Sequence, residues 1–251
     1  MTDTPKVASL AMYPFEQLRS ATNSLWSVIR QHLGWGPPSL EWEVVAPEVW
    51  RHPDLLLAQT CGWPLVNQLT DEFAVVGTFD YDVPGAADGR YQSVLISHDG
   101  SGIEELRSRP RVVAALNATD SLSGWVSLQC VWGGVPPSVV ETGSHLESVR
   151  AVADGRADVA SIDAVTWALI SSLEPLLVSE LTVAGSGPLV PSLPVVLPLR
   201  HGEHVDALRA AFTAAVADPA LASACAALRI RGFVPLDLAD YLPLLSLLPP
   251  T

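Results

Sequence analysis

The chain has 251 residues, 49% of them hydrophobic, and carries 27 Asp and Glu against 14 Lys and Arg for a formal net charge of −13. It is long and apolar enough to bury one large core or two modest ones, and too acidic for nucleic acid or an anionic membrane surface to be a general partner. Residues 181–199 are interrupted by Gly185, Gly187, Pro188, Pro191, Pro194 and Pro198, so no apolar run reaches bilayer-spanning length and no membrane insertion is expected.

Strand-like and helix-like segments alternate along the chain. Residues 7–12 read as a short buried strand ended by Tyr13-Pro14. A helix follows, with Leu18, Leu25, Ile29 and Leu33 at helical spacing, and stops near Gly34. Residues 55–58 form a strand running into Gln59-Thr60-Cys61-Gly62, then come a short helix over 63–69 and a strand over 73–79. The pattern continues with strands at 91–97, 112–116, 138–141 and 158–162, and with helices at 103–108, 123–132, 146–153 and 164–173. The tail is helical over 204–217, broken at Asp218-Pro219, and helical again over 220–228. Two Gly- and Pro-containing stretches, 81–91 and 184–194, are expected hinges. Such alternation implies an α/β fold of mainly parallel sheets covered on both faces. In such sheets ligands gather where strands end and helices begin.

One strand-to-helix loop stands out: Asn117-Ala118-Thr119-Asp120-Ser121-Leu122-Ser123-Gly124-Trp125. The first N–H groups of a helix lack internal partners and sit at the positive end of its dipole. Ser121 and Ser123 add hydroxyl donors, and Gly124 removes a side chain that would block close approach. Such a turn suits a phosphate-like oxyanion without any Lys or Arg, although Ser121 or Ser123 is equally an ordinary helix cap. Thr142-Gly143-Ser144-His145 places a histidine at the next helix start, and the stretch from Ala151 to Asp163 ends with a carboxylate at a strand tip.

Together these segments resemble the phosphonate-binding family of ABC transporter substrate-binding proteins, which carry a Ser-x-Ser-Gly helix start, a Ser-His helix start and an "AVxxGxADVAxID" stretch. The resemblance is strongest from Tyr91 to Trp167 and takes in Gln59–Pro64 and Met12-Tyr13-Pro14. It implies a two-lobed type II periplasmic-binding fold with two crossover hinge strands. Residues 1–90 and 192–251 would form lobe 1, and 91–191 lobe 2. It implies further that Tyr13, Gln59, Thr60 and Trp63 line the ligand site from lobe 1, and Ser121, Ser123, Gly124, His145 and Asp163 from lobe 2. The ligand implied is a small anion, phosphate- or phosphonate-like, and the partner an ABC transporter permease. The chain is expected to act as a monomer without cofactor or metal. Leu122 stands where the family often has Thr or Asn, which points to another small oxyanion or to a ligand with an apolar substituent.

Neither a GxSxG elbow, a Walker-type loop nor a metal-ligand cluster is present. Asp80, Asp82 and Asp88 lack the EF-hand spacing and read as a solvated turn. Cys61, Cys130 and Cys225 are widely spaced and odd in number, so inert free thiols are expected rather than a disulfide framework. The alternative function is a cytosolic sensor or an enzyme on the same fold. The start, MTDTPKVASLAMY, has no charged segment followed by an apolar stretch, as a cytoplasmic protein would show, whereas the resemblance implies the periplasm.

Overall fold

The computed structural model describes residues 6–44 and 46–248; the first five residues, on which the reading of export turns, lie outside them. In chain order the elements are β1 (Val7–Ser9), α1 (Arg19–Leu33), β2 (Leu55–Gln59), α2 (Gly62–Gln68), β3 (Phe73–Tyr81), β4 (Arg90–Ser97), α3 (Ile103–Ser108), β5 (Val113–Leu116), α4 (Ser127–Trp132), β6 (Ser138–Glu141), α5 (His145–Ala153), β7 (Val159–Ile162), α6 (Ala164–Leu173), β8 (Thr182–Pro191), β9 (Pro194–Pro198), α7 (Val205–Val216), α8 (Ala222–Ala227), β10 (Ile230–Val234) and α9 (Leu238–Tyr241). They fall into two compact units. One takes in the chain up to Asp82, with Ala87–Gly89 and Pro191–Pro243; the other takes in Val83–Ala86, Arg90–Val190 and the chain from Leu244. The chain therefore changes unit inside both stretches expected as hinges and once more after Pro243, where the sequence reading kept everything beyond 192 in the first lobe.

The first unit is built on a five-stranded sheet in the order β1-β2-β9-β3-β10. Its inner strands are continuous apolar runs, Leu55–Ala58 and Val195–Leu197 all being fully buried. On it lie α1, whose Leu25, Trp26 and Ile29 face the core, and α7, which packs beside α1 and against β3 and β10. Gly34 ends α1 in the left-handed conformation at φ 75°, donating its N–H to Arg30 O at 2.9 Å. The sheet is mixed, where the sequence reading expected mainly parallel pairing. Only β1 and β2 run parallel; β9 enters between β2 and β3 antiparallel to both, and β10 is antiparallel to β3. Both returning strands escaped the reading. Pro194 and Pro198 look like strand breakers, yet they sit at the two ends of β9, where proline is tolerated.

The second unit has the order β6-β5-β7-β4-β8. β6, β5 and β7 are parallel, with Leu116 opposite Glu141 and Ala115 opposite Ala160, while β4 runs antiparallel to β7. Leu95, Ala114 and Val159 from this sheet, with Val112 just before β5, pack with Leu106, Leu128 and Trp132 from α3 and α4. β8 is a strand where a Gly- and Pro-rich hinge was expected. As an edge strand it accommodates Pro188, and Gly187 leaves room for Ser127, whose Oγ would stand 2.0 Å from a Cβ there and would have to turn away.

The three places where the chain leaves the first unit are tied together within it. Ser192 N–H donates to Gly89 O at 2.9 Å, and the Tyr241 hydroxyl, fully buried, donates to Ser192 O at 2.8 Å. Gly89 N–H in turn donates to Asp80, whose carboxylate is gripped at both oxygens by Arg231 at 2.8 and 3.2 Å. Asp80 is thus an ion-pair partner within the fold, and its pKa is lowered against the pull of its burial by Arg231 and by the Gly89 N–H. Replacing Tyr241 by Phe strands the buried Ser192 carbonyl and is expected to cost about 1–3 kcal/mol. The check is urea unfolding, where the midpoint falls with the slope unchanged; an unmoved midpoint would show that the hydroxyl contributes nothing.

Candidate functional site

In the second unit, the parallel order of β6, β5 and β7 brings the chain out of all three strands at one edge of the sheet. The residues following them are Asn117 to Gly124, Thr142 to His145, and Asp163. Ser121 caps the helical segment that starts there: its Oγ accepts Gly124 N–H at 3.0 Å. Its carbonyl receives both Trp125 N–H and Val126 N–H at 3.0 Å, so the first turn, Leu122–Val126, is π-type before α4 continues the helix. The expected helix over 123–132 is therefore two windings joined end to end.

Ser123 and His145 meet. Ser123 Oγ lies 2.8 Å from His145 Nε2, and Ser161 of β7 donates to Ser123 O at 2.6 Å, which pins the turn to the sheet. His145 is the first residue of α5, set by Ser144, whose Oγ accepts Glu147 N–H at 3.1 Å. Its other ring nitrogen, Nδ1, is buried without a partner. Burial pushes the pKa of His145 down from its ordinary 6.5, and the nearby charge of Asp163 opposes this in part. Asp163 is buried and caps α6, its Oδ1 accepting Thr166 N–H at 2.8 Å. Ser121, Ser123, Gly124, His145 and Asp163 thus share one edge of the second unit. Leu122, read as a possible ligand contact, is buried at 2% exposure.

The expected residues of the first unit also follow parallel strands, β1 and β2. Tyr13 packs edge-on against Tyr81, with ring centroids 5.8 Å apart. Gln59 ends β2; its carbonyl accepts Trp50 Nε1–H at 3.1 Å, and its Nε2 is buried without a partner. Thr60 is fully buried, with its N–H on Pro194 O at 3.1 Å. Trp63 lies in the first turn of α2, half-buried, its carbonyl taking Asn67 Nδ2–H at 2.9 Å.

The family model of the periplasmic phosphonate substrate-binding protein of ABC transporters matches residues 81–241. The chain belongs to this family. It is thus a substrate-binding protein of the ABC transporter type. No curated protein matches the sequence. Among solved structures, a binding-protein component of an ABC phosphonate transporter from Pseudomonas aeruginosa is 18% identical, with a TM-score of 0.75 over 98% of this chain and 86% of that one. PhnD1 from Prochlorococcus marinus, solved with methylphosphonate, is 16% identical, with a TM-score of 0.76 over 97% and 96%. A Xanthomonas citri protein bound to ATP is 15% identical, with a TM-score of 0.65 over 98% and 96%. These likenesses are of fold: two lobes, each a sheet flanked by helices.

The matched stretch contains all five expected residues of the second unit and none of Tyr13, Gln59, Thr60 and Trp63. Among the described residues no group of His, Cys, Asp and Glu is arranged to hold a metal. None of the three cysteines is in a disulfide, and burial raises the pKa of the Cys130 and Cys225 thiols, which favours their protonated form. The sequence reading passed over Asn117 as a site residue, although it quoted the segment. Its Oδ1 is buried without a partner, a feature no spacing rule reveals.

His145 gives the family member a pH signature. The unfolded imidazole takes a proton near 6.5 and the buried one resists it, so the unfolded state binds more protons there and stability rises with pH. The contribution is complete above the ordinary value and is lost as pH falls through it. Comparing melting temperatures of wild type and His145→Gln between pH 7 and 5 should show wild type losing ground to the variant on acidification. Parallel curves would mean that the ring titrates freely.

Proposed function

We propose that the chain binds a small phosphonate- or phosphate-like oxyanion at these strand ends. Ser121, Ser123, Gly124, His145 and Asp163 are the residues we assign to ligand binding in the second unit, and Tyr13, Gln59, Thr60 and Trp63 those in the first. The observation that carries the reading is the pairing of Ser123 with His145 beside a buried ring nitrogen that nothing in the chain satisfies. Buried polar groups in folded proteins are nearly always paired, and an unpaired one at a strand end is what a site awaiting its ligand leaves. Gln59 Nε2 shows the same feature in the first unit.

No Lys or Arg stands among these nine residues, so the grip comes from neutral donors. A hydrogen bond to an ionised partner contributes about 1.5–3 kcal/mol. Ser123 and neutral His145 have two polar hydrogens between them and their own bond uses one, so the pair supplies one donor, and the Gln59 amide is the donor expected of the first unit. The Gly124 N–H is already committed to Ser121 Oγ, which removes it from the ligand's shell and leaves Ser121 its O–H to give. Asp163, acceptor-only when ionised, discriminates. It disfavours a fully deprotonated oxygen and favours a ligand that brings a proton of its own.

We read the chain as a monomeric binding protein that hands its ligand to an ABC transporter permease and turns nothing over. Ser123, His145 and Asp163 are the residue types of a hydrolytic triad. In a triad, however, the carboxylate holds the second imidazole nitrogen and so orients the base; here that nitrogen has no partner. The site binds and does not hydrolyse.

Calorimetric titration with methylphosphonate, phosphite and phosphate tests this. Ser123→Ala should weaken the best ligand by about 10- to 100-fold, the loss of one charge-assisted hydrogen bond, with Gln59→Ala in the same range. Asp163→Ala should improve binding of fully ionised anions and impair that of protonated ones. Unchanged affinity in both Ser123→Ala and His145→Ala would remove the ligand from this edge, and turnover of a bound ester would make the chain an enzyme.

A further inference from the structure

Asn117 directly follows β5, among the groups gathered at the end of the second unit's sheet. Its backbone carbonyl accepts Gly143 N–H at 3.1 Å, joining the end of β5 to the loop that leads to His145. Its side chain lies on the bare face of Gly124. A Cβ built there would stand 1.9 Å from Asn117 Oδ1 and 3.1 Å from Asn117 Cγ. The backbone of Gly124 is not among the glycines in the left-handed region, so its φ does not demand glycine at this position; the carboxamide of Asn117 does. The space that the sequence reading reserved for an approaching oxyanion is taken by a side chain of the protein itself.

That side chain is not satisfied by what it touches. Asn117 Oδ1 is buried and accepts no hydrogen bond, and the Gly124 N–H beside it is turned to Ser121 Oγ. Next along the edge stands Asp163, a buried carboxyl group. The second unit therefore offers acceptors as well as the donors that grip an oxyanion.

We propose that Asn117 is a specificity-determining residue: braced against Gly124, it holds out an acceptor that only a ligand with a hydrogen-bond donor beside its oxyanion satisfies. The donor is chemically an ammonium or hydroxyl on the carbon next to the tetrahedral head. A ligand without it leaves the amide oxygen unpaired, which is how a site built to hydrogen-bond a group rejects the analogue lacking it. The proposal rests on the reading that the ligand sits at these strand ends, and adds what kind of oxyanion is chosen.

The test titrates aminomethylphosphonate and methylphosphonate against wild type, Asn117→Ala and Asn117→Asp. Wild type should prefer the amino ligand by about tenfold or more, the scale of one hydrogen bond. Asn117→Ala should bring the ratio to about one, and Asn117→Asp, which keeps an acceptor in place, should preserve it. A ratio that survives Asn117→Ala, or its absence in wild type while methylphosphonate binds, overturns the assignment of Asn117 alone. If neither ligand binds wild type, the strand-end reading falls and this proposal with it. The contact has its own measurement: Gly124→Ala should lower Tm in wild type and be tolerated in the Asn117→Ala background. An equal loss in both backgrounds shows that Asn117 does not occupy the face of Gly124, and likewise overturns the proposal.

Discussion

The chemistry of the second unit depends on three short strands running the same way. β6, β5 and β7 are four residues each, too short to hold much on their own, yet their parallel register delivers three loops to one edge. Parallel strands require a crossover between them, and each crossover here is a helix whose first turn faces that edge. Small residues make this compact: Ala114, Ala115 and Ala160 are fully buried in β5 and β7, which leaves the helices room to lie close. Ser161 then reaches from β7 to the carbonyl of Ser123, so the turn that meets His145 is fastened to the sheet rather than carried by a free loop.

An acidic protein that binds an anion must solve its electrostatics locally. With a net charge of −13, long-range attraction is absent, and screening confines what remains to about 8–10 Å at physiological salt. The expected site residues include no lysine or arginine. Burial keeps His145 neutral, so what the edge supplies is oriented dipoles: hydroxyls, amides and an imidazole N–H. Such groups bind an oxyanion by geometry more than by charge, and affinity then depends on how well each is held. The bonds from Ser161 to the Ser123 carbonyl, from Glu147 N–H to Ser144 and from Thr166 N–H to Asp163 each fix a turn that bears one of the expected site residues.

Much of this was legible in the sequence. The segments around Ser123, His145 and Asp163 each read as strand, turn and helix, and the structure sets them at one edge with Ser123 touching His145. Helix α1 ends at Gly34 and α6 begins at Ala164, as periodicity and capping indicate. The misses share a cause. β8 and β9 carry six prolines and glycines between them, residues that mark turns in local reading, and only the sheet context shows that they sit at strand ends or on an edge. β10 pairs with β3 from some 150 residues away, a contact no local pattern encodes. The third passage between the units, after Pro243, is set by Tyr241 reaching Ser192, again at long range.

The site shows why a motif carries position more reliably than role. Of the four residues in the Ser-Leu-Ser-Gly start, Ser121 turns its oxygen to a helix cap, Leu122 is buried, and Gly124 makes room for Asn117. Ser123 turns its hydroxyl out of the segment, to His145. A short cap, a pinned serine and a missing side chain let a helix begin close to a strand end, and that geometry is what the segment encodes. What else meets that turn comes from outside the four residues: Asn117, which follows β5, lies on Gly124, and His145, at the start of α5, meets Ser123.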